Sequence, residues 1–120
     1  MKQVILNDWE TEEEVFLAFC SQQQIFANAM AQEWKILFAS YGLDCYDGKA
    51  FVLCIRHDDN TLYEVNGSHC SCYGLEDQWE PEETSVKALR YLLTHGDLGR
   101  SDYGNIFYGE LIEFLENYDD

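Results

Sequence analysis

The sequence predicts an α+β fold: four or so helices packed on one side of a small antiparallel β-hairpin or three-stranded sheet, with residues 1–120 as a single compact acidic domain. Three observations carry that reading. Several stretches repeat apolar residues at helical spacing. Residues 50–55 form a run that is apolar on both faces, followed by a turn and a second short strand. The composition is 47% hydrophobic and 15% aromatic, enough to build a core, which sets the chain apart from disordered acidic sequences. Its 120 residues suit one domain and bury roughly two-thirds of the surface that the unfolded chain exposes.

Residues 3–6 offer a possible third strand. Thr11 and Glu14 have the spacing of a capping box, and Val15, Phe16 and Phe19 follow at once, so a helix is expected to start there with acids in its first turn. Ser21 and Gln24 repeat the spacing. A new stripe then runs through Phe26, Met30, Trp34, Leu37 and Tyr41, flanked by Ile25 and Ala29. This reads as two consecutive helices, or one bent near Ser21, ending before Gly42.

After a turn at 44–48, Ala50–Ile55 is a strand, His57–Asn60 a turn and Leu62–Val65 the returning strand. Pro81 suits the first position of a helix, with Glu82 and Glu83 in its opening turn. Val86, Leu89, Leu92 and Leu93 form its buried face and Gly96 closes it. A loop over 97–104 leads to the last helix. There Phe107, Leu111, Phe114, Leu115 and Tyr118 share one face, and Glu110, Glu113 and Glu116 lie on another.

Twenty-three carboxylates stand against seven lysines and arginines, for a net charge of −16. Such a surface repels nucleic acid and anionic membrane and attracts basic protein surfaces. A basic start with a long apolar stretch is missing at the N-terminus, and no apolar run is long enough to span a bilayer, so a soluble cytoplasmic protein is expected.

Five cysteines, Cys20, Cys45, Cys54, Cys70 and Cys72, are an odd number without an export signal, which favours thiols over a disulfide framework. Cys20 and Cys54 fall among apolar neighbours and read as small buried hydrophobes. His69, Cys70 and Cys72 raise a zinc site, with Cys45, Cys54 or His57 as further ligands. The chain offers one Cys-x-Cys and no second pair, and adjacent His69 and Cys70 chelate one tetrahedral ion poorly. A nucleophilic Cys70 or Cys72, activated by His57 or His69, needs an electropositive setting. None is offered, because no basic residue lies between Arg56 and Lys87. The packing reading of this loop outweighs both, with Gly67 and Gly74 allowing tight turns. His95, near a helix end, is explained by the dipole. Neither a catalytic residue nor a cofactor is assigned, and the protein is expected not to be an enzyme.

The stretch from Gly67 to Glu83 is the most distinctive. Gly67 to Cys72, Gly74 to Glu76 and Gln78 to Glu82 resemble a motif of small uncharacterised proteins encoded in tailed-phage genomes. The resemblance covers about a seventh of the chain and implies a phage or prophage source, with the cytoplasm of an infected bacterial host as location. It carries no functional residue.

Carboxylates three and four residues apart on a helix lie about 5 to 6 Å apart, comparable to successive phosphates. Glu110, Glu113 and Glu116, with Asp119 and Asp120, can thus present a phosphate-like row. Acids near 8–14 and 76–83 extend it if the fold brings them together. Solubility and helix dipoles explain any single cluster. For the whole chain, self-repulsion at this charge argues for a use.

The leading expectation is a non-enzymatic host-defence inhibitor of nucleic-acid-mimic type that contacts a basic, nucleic-acid-handling host protein. Glu76, Asp77, Trp79, Glu80, Glu82, Glu83, Glu110, Glu113, Glu116, Asp119 and Asp120 carry that contact. The alternatives are a small zinc-binding or thiol enzyme centred on Cys70 and Cys72, and a phage regulatory or assembly accessory that binds through Tyr73 and Trp79.

Overall fold

The computed structural model describes residues 3–44, 47–69, 75–76, 78–100 and 105–118. Among them a five-stranded mixed sheet runs in the order β1 (Val4–Asn7), β2 (Trp34–Asp44), β3 (Asp47–Arg56), β4 (Leu62–His69) and β5 (Glu82–Glu83). Strands β2 to β5 form an antiparallel meander, and β1 pairs in parallel with β2. A parallel pair needs a long crossover. Here it is made by α1 (Glu12–Phe19) and α2 (Gln24–Glu33). Helices α3 (Val86–His95) and α4 (Tyr108–Asn117) follow the sheet.

The α+β class holds, but the sheet is larger than a hairpin or three strands, and its helices cover both faces. Against one face α1 and α2 bury Val15, Phe16, Phe19 and Ala27 over Trp34, Ile36, Val52, Cys54 and Val65. Against the other, α3 and α4 bury Leu89, Leu93, Leu111, Phe114 and Leu115 over Phe38, Phe51, Leu53 and Leu62. Phe107 closes that second layer, stacked on Phe51 with ring centroids 4.9 Å apart. Burial on both faces explains why the central strands read as continuous apolar runs instead of alternating ones.

The largest departure from the sequence reading is the segment Trp34–Tyr41, expected as helix and found as strand. Its helical stripe overlaps a compact run rich in branched and aromatic residues, and pairing with both β1 and β3 decides between them. A β-bulge interrupts β2. Ile36 pairs with Cys54 and Phe38 with Leu53, leaving Leu37 over. The extra residue turns Leu37 and Phe38 toward the α3–α4 layer, while Trp34, Ile36 and Ala39 face α1 and α2.

The capping box of α1 forms as expected. Thr11 Oγ1 accepts the Glu14 N–H at 3.2 Å and Glu14 Oε1 accepts the Thr11 N–H at 3.0 Å. The second box does not. Ser21 instead follows the end of α1 with φ 53°, and Gln22, with φ 62°, donates its N–H to the Leu17 carbonyl at 2.9 Å. This is a Schellman-type stop built without glycine. Gln23 caps α2 with no side-chain bond.

Pro81 does not open a helix either. Glu82 and Glu83 form the short edge strand β5 against Tyr63 and Glu64, and Ser85 caps α3 by accepting the Ala88 N–H at 3.1 Å. A two-residue acidic edge after a proline resists pairing with another chain. Leu92, expected in the buried face of α3, is exposed. Gly67 lies within β4, with no turn at that position. A Cβ there would stand 3.0 Å from Leu75 Cδ2 and 3.5 Å from a Phe19 ring atom, so its small size admits the returning 75–79 segment.

Candidate functional site

Three separate segments meet beside the end of the β1–β2 pair. Asn7, with φ 61°, turns the chain out of β1, and the Asp8 N–H then donates to the Tyr41 carbonyl at 2.8 Å. Trp9 is buried, its ring stacked on Tyr41 at 5.0 Å and tilted on Phe19 at 6.2 Å. Glu14 is held at the start of α1, where Oε1 accepts the N–H groups of Glu10 and Thr11, each at 3.0 Å. Glu76 arrives from the chain after β4, behind buried Leu75. Asp8, Trp9, Glu14, Tyr41, Leu75 and Glu76, with Leu17, Ala18, Ser21 and Gln22, line a groove of about 480 Å³.

The groove has an apolar and aromatic floor and an acidic rim. Asp8, Glu14 and Glu76 are exposed, while Tyr41 is half-buried between them. Burial pushes the Tyr41 hydroxyl above its ordinary pKa, and the negative charges of Asp8 and then Glu76 push it further. Burial disfavours any charge at the ring itself, whereas the two carboxylates make the potential beside it negative, which attracts a cation at the exposed rim.

The acids proposed from sequence do not form a single row. Glu76 joins Asp8 and Glu14 on the α1 side of the sheet. Glu110, Glu113 and Glu116 are exposed on α4, whose buried residues are Leu111, Phe114 and Leu115, and α4 packs on the opposite face. Glu80, Glu82 and Glu83 are exposed, the last two on the β5 edge.

Trp79 packs into the α1 layer, edge-on to Phe19 at 5.1 Å, Trp34 at 5.9 Å and Phe16 at 6.0 Å. Its indole N–H is buried and has no hydrogen-bond partner among the described residues. Its observed work is to fasten the 75–83 segment to the sheet. Asp77, Asp119, Asp120 and Tyr73 lie outside the described residues.

Cys45, Cys70 and Cys72 also lie outside the described residues, and nothing is described of the His69 side chain, so the zinc and thiol readings gain no geometry. Among the described residues, no group of three or more His, Cys, Asp or Glu side chains is placed to hold a metal ion. Cys54 is fully buried in β3, and burial pushes its thiol up to about 12. Cys20 is half-buried, with Sγ 3.0 Å from Met30 Sδ, and burial raises its pKa as well. Both sit as packed thiols that resist ionisation.

Sequence reading noted the acids at 8–14 and 76–83 but missed Trp9, Tyr41 and Leu75 as the floor between them. The helical stripe through Trp34 and Leu37 sets Tyr41 on a helix, away from Asp8. Only the parallel pairing of Asn7 with Tyr41 puts the two side by side. No helix of the described residues is long and apolar enough to cross a membrane. Compared with family models, curated proteins and solved structures, the chain shows no match.

Proposed function

We propose that this chain is a non-enzymatic acidic binding protein whose groove between β1, α1 and the 75–76 segment takes a basic segment of another protein. The carrying observation is the convergence of Asp8, Glu14 and Glu76, from three separate stretches of sequence, around the half-buried Tyr41 ring. An arginine or lysine entering the groove lays its aliphatic stem on Leu17 and Tyr41 and its charge among the carboxylates. The net charge of −16 steers basic partners toward the protein from a distance.

The tailed-phage resemblance of residues 67–82 supports a host partner. A nucleic-acid-handling defence enzyme is the class whose basic surface suits such an inhibitor. On this reading the exposed α4 carboxylates supply long-range attraction, and the groove supplies the contact.

Capture of partners from a bacterial host lysate, followed by a salt titration, tests the proposal. The expected result is a captured basic protein whose binding falls steeply from low to moderate salt. Absence of capture, or capture indifferent to salt, contradicts it. So does loss of binding on chelation of metal, which would favour the zinc reading of His69, Cys70 and Cys72.

A further inference from the structure

We propose that a cavity on the α4 side of the sheet binds a small oxyanion of the phosphate type. The cavity, about 440 Å³, lies where β3 and β4 meet the chain between α3 and α4, and Lys49, Asn66, Asp97, Arg100 and Asn105 line it. Its size is that of small-ligand sites. Lys49 stands two residues before buried Phe51 on β3 and so shares the face that α3 and α4 cover. The groove of the proposed function lies on the opposite face, so the two sites stand or fall separately.

Asn105 points to a ligand. It is 2% exposed, and its Oδ1 accepts the Ser40 hydroxyl. The sense of that bond is fixed one step earlier. The Asn7 amide nitrogen donates to the Ile106 carbonyl at 3.3 Å and to Ser40 Oγ at 2.6 Å, so the serine gives its own proton to Asn105. Asn105 Nδ2 is therefore the end of the amide left over, and it has no acceptor among the described residues. A buried donor without an acceptor is costly, and the cavity that Asn105 lines is where one can arrive.

A water molecule satisfies an amide nitrogen, but it gives no reason for two cations at the same place. Of the seven lysines and arginines in the chain, Lys49 and Arg100 both line this cavity, with Asp97 as the carboxylate among its described residues. Arg100 is held in position: its guanidinium lies over the Tyr108 ring at 4.2 Å and donates to the Leu93 carbonyl at 3.3 Å, which leaves further N–H groups for a ligand. The Gly99 carbonyl accepts the N–H groups of Phe107 and Tyr108, at 3.1 and 3.2 Å, and fixes the 97–100 loop against the start of α4. With the Arg100 fork partly engaged, a planar carboxylate loses its two-pronged grip, whereas a tetrahedral phosphate takes single bonds from three separate donors. The net charge of −16 acts from a distance and is screened beyond about 8 Å at physiological salt, while these donors touch the ligand.

An amide NMR titration of the full chain with inorganic phosphate at constant ionic strength, with acetate and chloride as controls, tests this. Saturable shifts are expected at Lys49, Asn66, Arg100 and Asn105 with phosphate alone, and not at the groove residues Asp8, Tyr41 and Glu76. Lys49→Gln, at an exposed position, should keep the fold and weaken phosphate binding about tenfold, the loss of one charge-assisted bond. Asn105→Asp keeps an oxygen for Ser40 and puts a negative oxygen where Nδ2 stood, so it should abolish the shifts. No saturation at any phosphate concentration overturns the proposal, and so does acetate binding as tightly as phosphate. Phosphate affinity unchanged in Lys49→Gln overturns it as well, whether or not Asn105→Asp folds.

Discussion

Glu12, in the first turn of α1, accepts the backbone N–H of Ile36 at 3.0 Å. Ile36 stands at the bulge of β2, two residues before Phe38, which pairs with Val4 of β1. The Gln3 side chain donates to the Ile36 carbonyl at 2.8 Å and to Glu12 at 3.0 Å. Two side chains thus hold the Ile36 peptide groups and tie α1 to the sheet. Replacing Glu12 by alanine leaves the N–H of the buried Ile36 without its acceptor. The expected loss is about 1 to 3 kcal/mol, read from urea unfolding, since bonds to charged acceptors are stronger than neutral ones.

Ser40 and Asn105 are the buried polar residues among those described, and they satisfy each other. Ser40 Oγ donates to Asn105 Oδ1, and Asn7 Nδ2 donates to Ser40 Oγ at 2.6 Å. This trio joins β1, β2 and the approach to α4. Ser40→Ala removes both bonds and leaves buried Asn105 Oδ1 with only the 3.4 Å bond from the exposed Asn7 amide, so a loss of about 1 to 3 kcal/mol is expected. A change within experimental error in thermal or urea unfolding would show that the trio adds nothing.

Ser21 holds a left-handed conformation, φ 53°, at the stop of α1. A side chain there costs about 1 to 2 kcal/mol, partly offset by the greater freedom glycine has when unfolded. Ser21→Gly should therefore stabilise the protein by roughly 0.5 to 1 kcal/mol. An unfolding midpoint that falls would contradict the assigned geometry.

These residues show what was legible from sequence. The Thr11–Glu14 box is local, since its bonds close within one turn, and it was read correctly. So were the apolar face of α4 and the hairpin of β3 and β4, whose patterns are each contained in a single element. Trp34–Tyr41 was misread because the same residues satisfy a helical stripe and a doubly buried strand. Only the neighbours β1 and β3, distant in sequence, choose between them. Ser21 was misread as a cap because serine both starts helices and tolerates the stop after one. The groove was out of reach for the same reason as β2: Asp8, Tyr41 and Glu76 become neighbours only through the parallel pairing and the returning 75–79 segment.

Cys54 gives a pH dependence with a definite sign. Its thiol is raised from 9.0 to about 12 by burial. Below pH 9 it is protonated in folded and unfolded chains alike, so its contribution is complete. Above that, the unfolded chain releases the proton first, and stability is lost as pH rises toward 12. The loss is up to about 1.4 kcal/mol per pH unit. Cys54→Ala should be less stable at neutral pH through the lost packing, yet fall less steeply between pH 9 and 12. Parallel curves for the two proteins would count against the burial of this thiol.

On the proposed function the groove, rather than the acidic α4 face, makes the contact. Two variants that each neutralise three carboxylates separate them: Asp8→Asn with Glu14→Gln and Glu76→Gln, and Glu110→Gln with Glu113→Gln and Glu116→Gln. Glutamine preserves the Glu14 capping box, and exposed substitutions of this kind move stability by under about 0.5 kcal/mol each, so both variants should fold. The direct measurement is an amide NMR titration with an oligo-arginine peptide, its citrulline isostere serving as the uncharged control. Shifts are expected to centre on Asp8, Ser21, Gln22, Tyr41 and Glu76, to be absent with citrulline, abolished in the groove variant and only weakened in the α4 variant. Shifts centred on Glu110, Glu113 and Glu116, or shifts that survive in the groove variant, would contradict the proposed contact.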